Sequence, residues 1–147
     1  MAAKKIKQDS NEAKKDYTFT TGKRRKAVAS ATIKPGKGII KINTIPLCTI
    51  TNIFVRMKIE EPLILAGDSW KQYDINVKSH GGGILGQADA ARLAIAKGLS
   101  ELLGPDMRKR FMDYDRNMLI ADPRRTETHK PPRSSQGPRR YKQRSKR

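Results

Sequence analysis

Cysteine is nearly missing from this chain. Cys48 stands alone among 147 residues, which excludes an internal disulfide and any multi-cysteine zinc site. A lone small thiol is expected at a buried position, and a chain so poor in cysteine in a reducing, cytoplasmic compartment. Long apolar runs are missing too. None approaches the ~18 residues that a membrane span requires, and the charged opening Met1-Ala2-Ala3-Lys4-Lys5 has no apolar stretch behind it to act as a secretory signal. Histidine is limited to His80 and His129, which are far apart; His129 has no acid nearby but Glu127, and neither histidine builds a triad or a zinc site. Glu60 and Glu61 are adjacent, and adjacent helical positions point in different directions, so they make a poor acid–base pair. No catalytic residue, cofactor or metal ligand is assigned. Acids are the last scarcity: 14 Asp and Glu face 32 Lys and Arg, a formal charge of +18. Such an excess calls for a polyanionic partner, either nucleic acid or an anionic membrane.

What is present is organised around Tyr73 to Leu103. Tyr73-Asp74-Ile75-Asn76-Val77-Lys78 alternates apolar and polar residues, the period of a strand with one buried face. Gly81-Gly82-Gly83 then marks a sharp turn or a close approach of backbone. From Ile84 the period becomes helical, with Ile84, Ala88, Ala91, Ile95, Leu99 and Leu102 on one stripe, and Gly104-Pro105 ends it. The alanines make the stripe thin enough for close packing on a sheet. Gly81, Gly83 and Gly86 also spell G-x-G-x-x-G, so a dinucleotide site is one reading. It requires a second parallel strand soon after the helix, and the chain instead gives the basic helical segment Asp106-Met107-Arg108-Lys109-Arg110-Phe111. A purely structural turn is the second reading, and amides of Gly81, Gly82 and Gly83 facing an RNA phosphate the third. Asp89, in the first turn of the helix, is explained by its dipole. Arg92, at the edge of the stripe, either snorkels or clamps a phosphate.

Around this unit the chain divides into three regions. Residues 1–16 are lysine-rich and polar, a flexible basic arm. Residues 17–122 form the globular body. Tyr17-Thr18-Phe19-Thr20-Thr21 reads as a first strand, followed by the cation run Lys23, Arg24, Arg25 and Lys26, a charged surface suited to phosphate. Ala27 to Ile33 is a second strand, Pro35-Gly36-Lys37-Gly38 a hairpin turn, and Ile39 to Asn43 the returning strand, with Lys34, Lys37 and Lys41 adding charge. Ile50, Ile53, Phe54 and Met57 predict a short helix that Pro62 breaks or restarts, with Leu63-Ile64-Leu65 anchoring it before Gly67. Trp70 is read as a core anchor ahead of a base-stacking surface, and Met118-Leu119-Ile120-Ala121 as the last apolar anchor.

Residues 123–147 are an extended basic tail with ten Lys or Arg and one acid, Glu127. Pro131-Pro132 and Gly137-Pro138 interrupt any helix, and nothing there can bury a core. Extended, these residues span roughly 80 Å, enough to cross a large anionic surface. A membrane anchor would need Trp, Phe or Leu to insert, and the tail has none. Its cations Arg124, Arg125, Lys130, Arg133, Arg139, Arg140 and Lys142 are mostly arginine, which favours forked phosphate contacts. Tyr141, between Arg140 and Lys142, is placed to stack on a base.

Four stretches together resemble the small-subunit ribosomal protein nine family: Gly22 to Ala27 with Pro35 to Gly38; Gly81-Gly82-Gly83 with Gly86-Gln87-Ala88 and Ala91-Arg92; Asp122-Pro123-Arg124-Arg125; and the ending Gln143-Arg144-Ser145-Lys146-Arg147. The match spans about Tyr17 to Arg147. Met57 to Leu63 and Asp122 to Glu127 resemble its archaeal branch, whereas bacterial members carry a Lys-Lys-Tyr-Gly type run where this chain has His129-Lys130-Pro131-Pro132.

The resemblance implies an α+β fold, about four strands packed by helices, of the ribosomal protein S-five domain-two-like type with an extended basic C-terminal tail. The same fold family holds small-molecule kinases with a Gly-Leu-Gly-Ser-Ser type loop, so phosphoryl transfer is the enzymatic alternative. Here Ile84-Leu85-Gly86-Gln87-Ala88 lacks those serines, and the enzyme reading is set aside. The implied role is structural: a body bound to ribosomal RNA in the head of the small subunit, beside neighbouring small-subunit proteins, with no membrane partner. The tail would reach the peptidyl-site transfer RNA, where Lys146 and Arg147, with Arg144 and Ser145 beside them, would make the contact.

Overall fold

The computed structural model describes residues 17–125. The arm 1–16 and the tail from 126 onward, and therefore the expectations placed on them, lie outside the described residues.

Alternating small residues build the first two strands. β1 (Thr18–Arg24) and β2 (Ala27–Pro35) pair antiparallel across a tight turn at Arg25-Lys26, with Arg25 at φ 54°. Thr20 and Gly22 from β1 and Ala27, Ala29, Ala31 and Ile33 from β2 point inward and are buried. β5 (Tyr73–His80) pairs antiparallel with β2 and turns Ile75 and Val77 to the same side. This is the period of two expected from a half-buried sheet.

The returning strand differs from the hairpin reading. β3 (Ile40–Ile42) does not pair with β2; it runs parallel to β5, which lies between them, and the two-residue β4 (Ile45–Pro46) adds an edge. The sheet therefore has five strands, in the order β1-β2-β5-β3-β4. The cause is local. One carboxylate oxygen of Asp74, at the start of β5, accepts the backbone N–H groups of Lys37 (2.8 Å) and Ile39 (2.9 Å), and Gly36 N–H donates to Gln72 O at 2.8 Å. The loop after β2 is thus held across the head of β5 and carries β3 to the far side.

Helices cover one face. α1 (Ile53–Ala66) starts at Asn52, whose side chain accepts from the amides of Phe54 and Val55, and ends at Gly67 with φ 64°. It passes straight through Pro62, which is buried with Val55, Ile59, Leu63 and Ala66, so core packing offsets the missing backbone bond and the expected break does not occur. Ile53, Phe54 and Met57, whose spacing marked the helix, are exposed, Phe54 at 73%. Cys48 is exposed as well, against the expectation of burial. Trp70 lies half-buried against the core in a 3-10 segment, Gly67–Gln72.

α2 (Ile84–Leu103) lies on β1, β2 and β5, with Ala88, Ala91, Ile95 and Leu99 buried as expected but Ile84 69% exposed. Its close approach depends on small residues: a Cβ at Gly22 would sit 2.0 Å from Ala90 O. Thr20 Oγ1, buried, donates to Ala94 O at 2.7 Å. α3 (Pro105–Tyr114) follows Gly104 directly and buries Met107 and Phe111 against α2. Met118 and Leu119 then close the core.

Candidate nucleic-acid interface

Motifs separate in sequence meet at one end of the body. Gly81 (φ 72°) and Gly82 (φ 63°) both occupy the left-handed region, and a Cβ on Gly81 would meet Lys26 O at 2.5 Å. The glycine turn is therefore pressed against the Arg25-Lys26 turn, a steric requirement that any side chain would violate. Gln87 fixes the pair from the helix side, its Nε2 donating to Gly81 O at 3.1 Å. α2 begins at Gly83 without a side-chain cap, so first-turn amides face outward beside Arg25 and Lys26. Arg24, Arg25, Lys26, Gly82, Gly83, Gly86 and Asp89 line a hollow of about 390 Å³ there.

That arrangement answers the dinucleotide question. β5 is flanked by an antiparallel strand and by β3, which precedes it, and α2 leads to α3 and no further strand among the described residues. The parallel strand that a dinucleotide fold places after its helix is not there. Of the other two readings, steric need for the turn is what the contacts carry directly.

A second hollow, about 210 Å³, adjoins the first and shares Arg24 and Asp89 with it; its charged wall also includes Lys23, Lys58, Arg92, Asp115, Asp122 and Arg124. Here cations and acids are interlocked. Arg24 pairs closely with Asp122 and stands 3.7 Å from Asp89, which also takes Lys58 at 2.5 Å. Asp89 thus sits in the second turn of α2 and serves as a junction of ion pairs, not as the dipole complement expected of it. Asp122 further accepts the Arg124 backbone N–H at 2.8 Å and its guanidinium at 2.7 Å. The first residues of the tail are thereby pinned beside the end of β1.

Arg92 requires a correction. Its side chain is only 15% exposed and holds Glu61 at 2.6 Å and Asp115 at 2.9 Å. It ties α1, α2 and the segment after α3 together, and its charge is already met by two carboxylates, which removes it from the phosphate-facing set. Glu60 pairs separately with Arg56 at 3.4 Å, so the two adjacent glutamates do diverge.

Lys23, Arg25, Lys26, Arg124 and Arg125 remain as cations at this end, with no acid pairing for Lys23, Arg25, Lys26 or Arg125 among the described residues. Lys37 is not with them. It follows the far end of the nine-residue β2, so roughly 30 Å of strand separates it from Lys26. Lys130, Arg133, Arg139, Arg140, Tyr141, Lys142, Arg144, Ser145, Lys146 and Arg147 lie outside the described residues. Sequence reasoning named Asp89 and Asp122 but missed their pairs with Arg24 and Lys58, and it missed Asp115 altogether, because these partners are far apart in the chain. Among the described residues no His, Cys, Asp and Glu cluster is arranged to hold a metal, and no helix is long and apolar enough to cross a membrane.

Comparison with known proteins agrees with this geometry. The family described as Ribosomal protein S9/S16 matches residues 22–147. A protein of Methanococcus maripaludis named "Small ribosomal subunit protein uS9" is 46% identical over 127 residues, covering 86% of this chain and 95% of that one. The protein of the same name from Methanococcus vannielii matches with the same identity and coverage. The chain belongs to the ribosomal protein S9 family, in its archaeal-type branch, and is a structural, non-enzymatic ribosomal protein.

Proposed function

We propose that this protein is built into the small ribosomal subunit in the cytoplasm, where it binds ribosomal RNA, touches neighbouring small-subunit proteins, and extends its tail to the peptidyl-site transfer RNA. One observation carries the reading. Asp122 anchors the start of the tail beside Arg24, so the basic tail leaves the body next to Lys23, Arg25, Lys26 and the open amides of α2. Phosphate contacts by the body fix its position, and the remaining cations of the tail, Lys130 to Arg147, continue the same chemistry outward. Lys146 and Arg147, with Arg144 and Ser145, are the residues assigned to the transfer RNA. No covalent step is involved.

The test is deletion of residues 145–147. Charge-assisted contacts to phosphate are worth roughly 1.5–3 kcal/mol each, so transfer RNA affinity of purified small subunits should fall about tenfold or more while the truncated protein stays assembled. Unchanged affinity, with subunits that lose the truncated protein, would make the tip an assembly anchor instead.

A further inference from the structure

Among the described residues the helices cover one face of the sheet and no element covers the other. Strand register places its outward side chains in rows. Across β1, β2, β5 and β3 one row runs Phe19, Thr32, Asn76, Lys41; a second runs Thr21, Ser30, Lys78; a third Lys23, Val28, His80; and Lys34 is opposite Asp74. Four ammonium groups, from Lys23, Lys34, Lys41 and Lys78, face a single carboxylate, Asp74, which is bonded to the Lys37 and Ile39 amides. Lys34, Lys41, Asn76 and Lys78 border a shallow hollow of about 350 Å³, within the usual range of ligand sites, roughly 300–1,000 Å³. At the edge of the same face Phe19 is 58% exposed, and Tyr17 is 42% exposed with Lys34 Nζ 5.8 Å from its ring centre.

Folding does not require a phenyl ring in water among lysines, but binding of nucleic acid uses that combination. Lysines on adjacent strands meet successive phosphates, a flat aromatic ring stacks on a base of any identity, and hydroxyl and amide side chains reach base edges and 2′-hydroxyls. A duplex gains nothing from Phe19, because its bases are already stacked. An acidic peptide would use the lysines, but peptides that extend a sheet take its edge rather than its face, and oligo-glutamate offers nothing to stack on Phe19.

We infer that the open sheet face is a second RNA site, in which Phe19 stacks on a base of an unpaired RNA segment whose phosphates lie along Lys34, Lys41 and Lys78. This rests on the ribosomal RNA-binding reading and adds to it a surface and a class of ligand.

The experiment is a titration of the isotope-labelled full chain with an unstructured uridine decamer, following backbone amide shifts strand by strand. The expected result is saturable shifts on β1, β2, β3 and β5. Stacking of one base is worth ~1–3 kcal/mol, so Phe19→Leu should weaken the affinity read from these strands about fivefold or more. Phe19→Tyr should restore it. The variant Lys34→Gln/Lys41→Gln/Lys78→Gln should lower the slope of log affinity against log salt by roughly 2, given ~0.7 for each neutralised phosphate on a single strand. Shifts confined to residues 22–26, 81–86 and 124–147 overturn the inference and leave the ribosomal RNA reading standing. A chain that binds no RNA by any amide overturns both. Equal shifts of the sheet with oligo-glutamate, insensitive to Phe19→Leu, make the face a site for acidic protein and overturn it as well.

Discussion

Adding one methyl group at Gly22 should cost this fold as much as emptying a core position. Gly22 lies in β1 opposite Ala29, under α2. A Cβ there would stand 2.0 Å from Ala90 O and 2.8 Å from Ala94 N, both backbone atoms of the helix. Backbone has no rotamer with which to yield. Relief requires α2 to lift by more than an ångström, since ordinary contact begins near 3.4 Å. Lifting the helix also stretches the buried bond from Thr20 Oγ1 to Ala94 O. Overpacking costs ~1–3 kcal/mol, and a buried donor left short of its acceptor adds ~1–3 kcal/mol. Gly22→Ala is therefore expected to destabilise by about 3 kcal/mol or more, a large part of the 5–15 kcal/mol typical of a domain. With a urea m-value of ~1–3 kcal/mol/M, the midpoint should fall by roughly 1 M or more. Two other glycines serve as controls. Gly83 has open space where a Cβ would go and φ −110°, so Gly83→Ala should leave the midpoint unchanged. Gly86 lies inside α2 with its nearest contact at an ordinary 3.5 Å, so Gly86→Ala should stabilise by up to ~1 kcal/mol. A Gly22→Ala protein that unfolds at the wild-type midpoint would show that α2 does not rest on β1 as described.

Two further outcomes are expected. Arg92→Gln leaves Glu61 and Asp115 without their cation; breaking a fully buried pair costs ~3–5 kcal/mol, and the partial exposure of these carboxylates reduces that to about 1–2 kcal/mol. Urea unfolding should report this loss while RNA affinity of the folded variant stays at the wild-type value; a stable variant with weakened RNA binding would return Arg92 to the phosphate-facing set. The amides of Ile39 and Lys37 hold the Asp74 carboxyl below the usual carboxylate range. A lowered folded-state value means that its stabilising effect is complete above the ordinary carboxylate pKa and is lost as pH falls through the depressed one. Amide exchange at Lys37 and Ile39 should therefore accelerate only in strongly acidic solution, and Asp74→Asn should abolish that dependence; protection indifferent to pH in the wild type would contradict the assignment.

Local pattern made much of the fold legible. The alternation of Ala27 to Ile33 and of Tyr73 to Lys78 marked two strands within a residue or two of their ends, and the run from Ala88 to Leu99, closed by Gly104, marked α2. Strand order was not legible, because β3 beside β5 is decided by one carboxylate, Asp74, holding amides that sequence reading assigns to a hairpin. α1 failed differently. It is apolar on both sides, so spacing identified a helix but gave no way to choose between Ile53, Phe54 and Met57, which are exposed, and Val55, Ile59 and Leu63, which are buried. The candidate site followed the same division. Each basic stretch was visible by itself, whereas their meeting depends on Gly81 fitting beneath Lys26 and on Asp122 reaching Arg24.

The acids of the body explain which cations are left over. Glu61, Asp89, Asp115 and Asp122 all gather on the shoulder of α2, where they neutralise Arg24, Lys58, Arg92 and Arg124 at ion-pair distance. These pairs join α1, α2, the end of β1 and the start of the tail, so the arginines there act chiefly on stability. The open sheet face holds one acid against four lysines, and among the described residues no acid pairs with Arg25 or Lys26. Like charges so close together cost the fold something. The charge of the described body is thus separated in space into a part paired with acids and a part left unpaired, and on the proposed function substitutions should divide accordingly, the first group altering unfolding and the second altering RNA affinity and its dependence on salt.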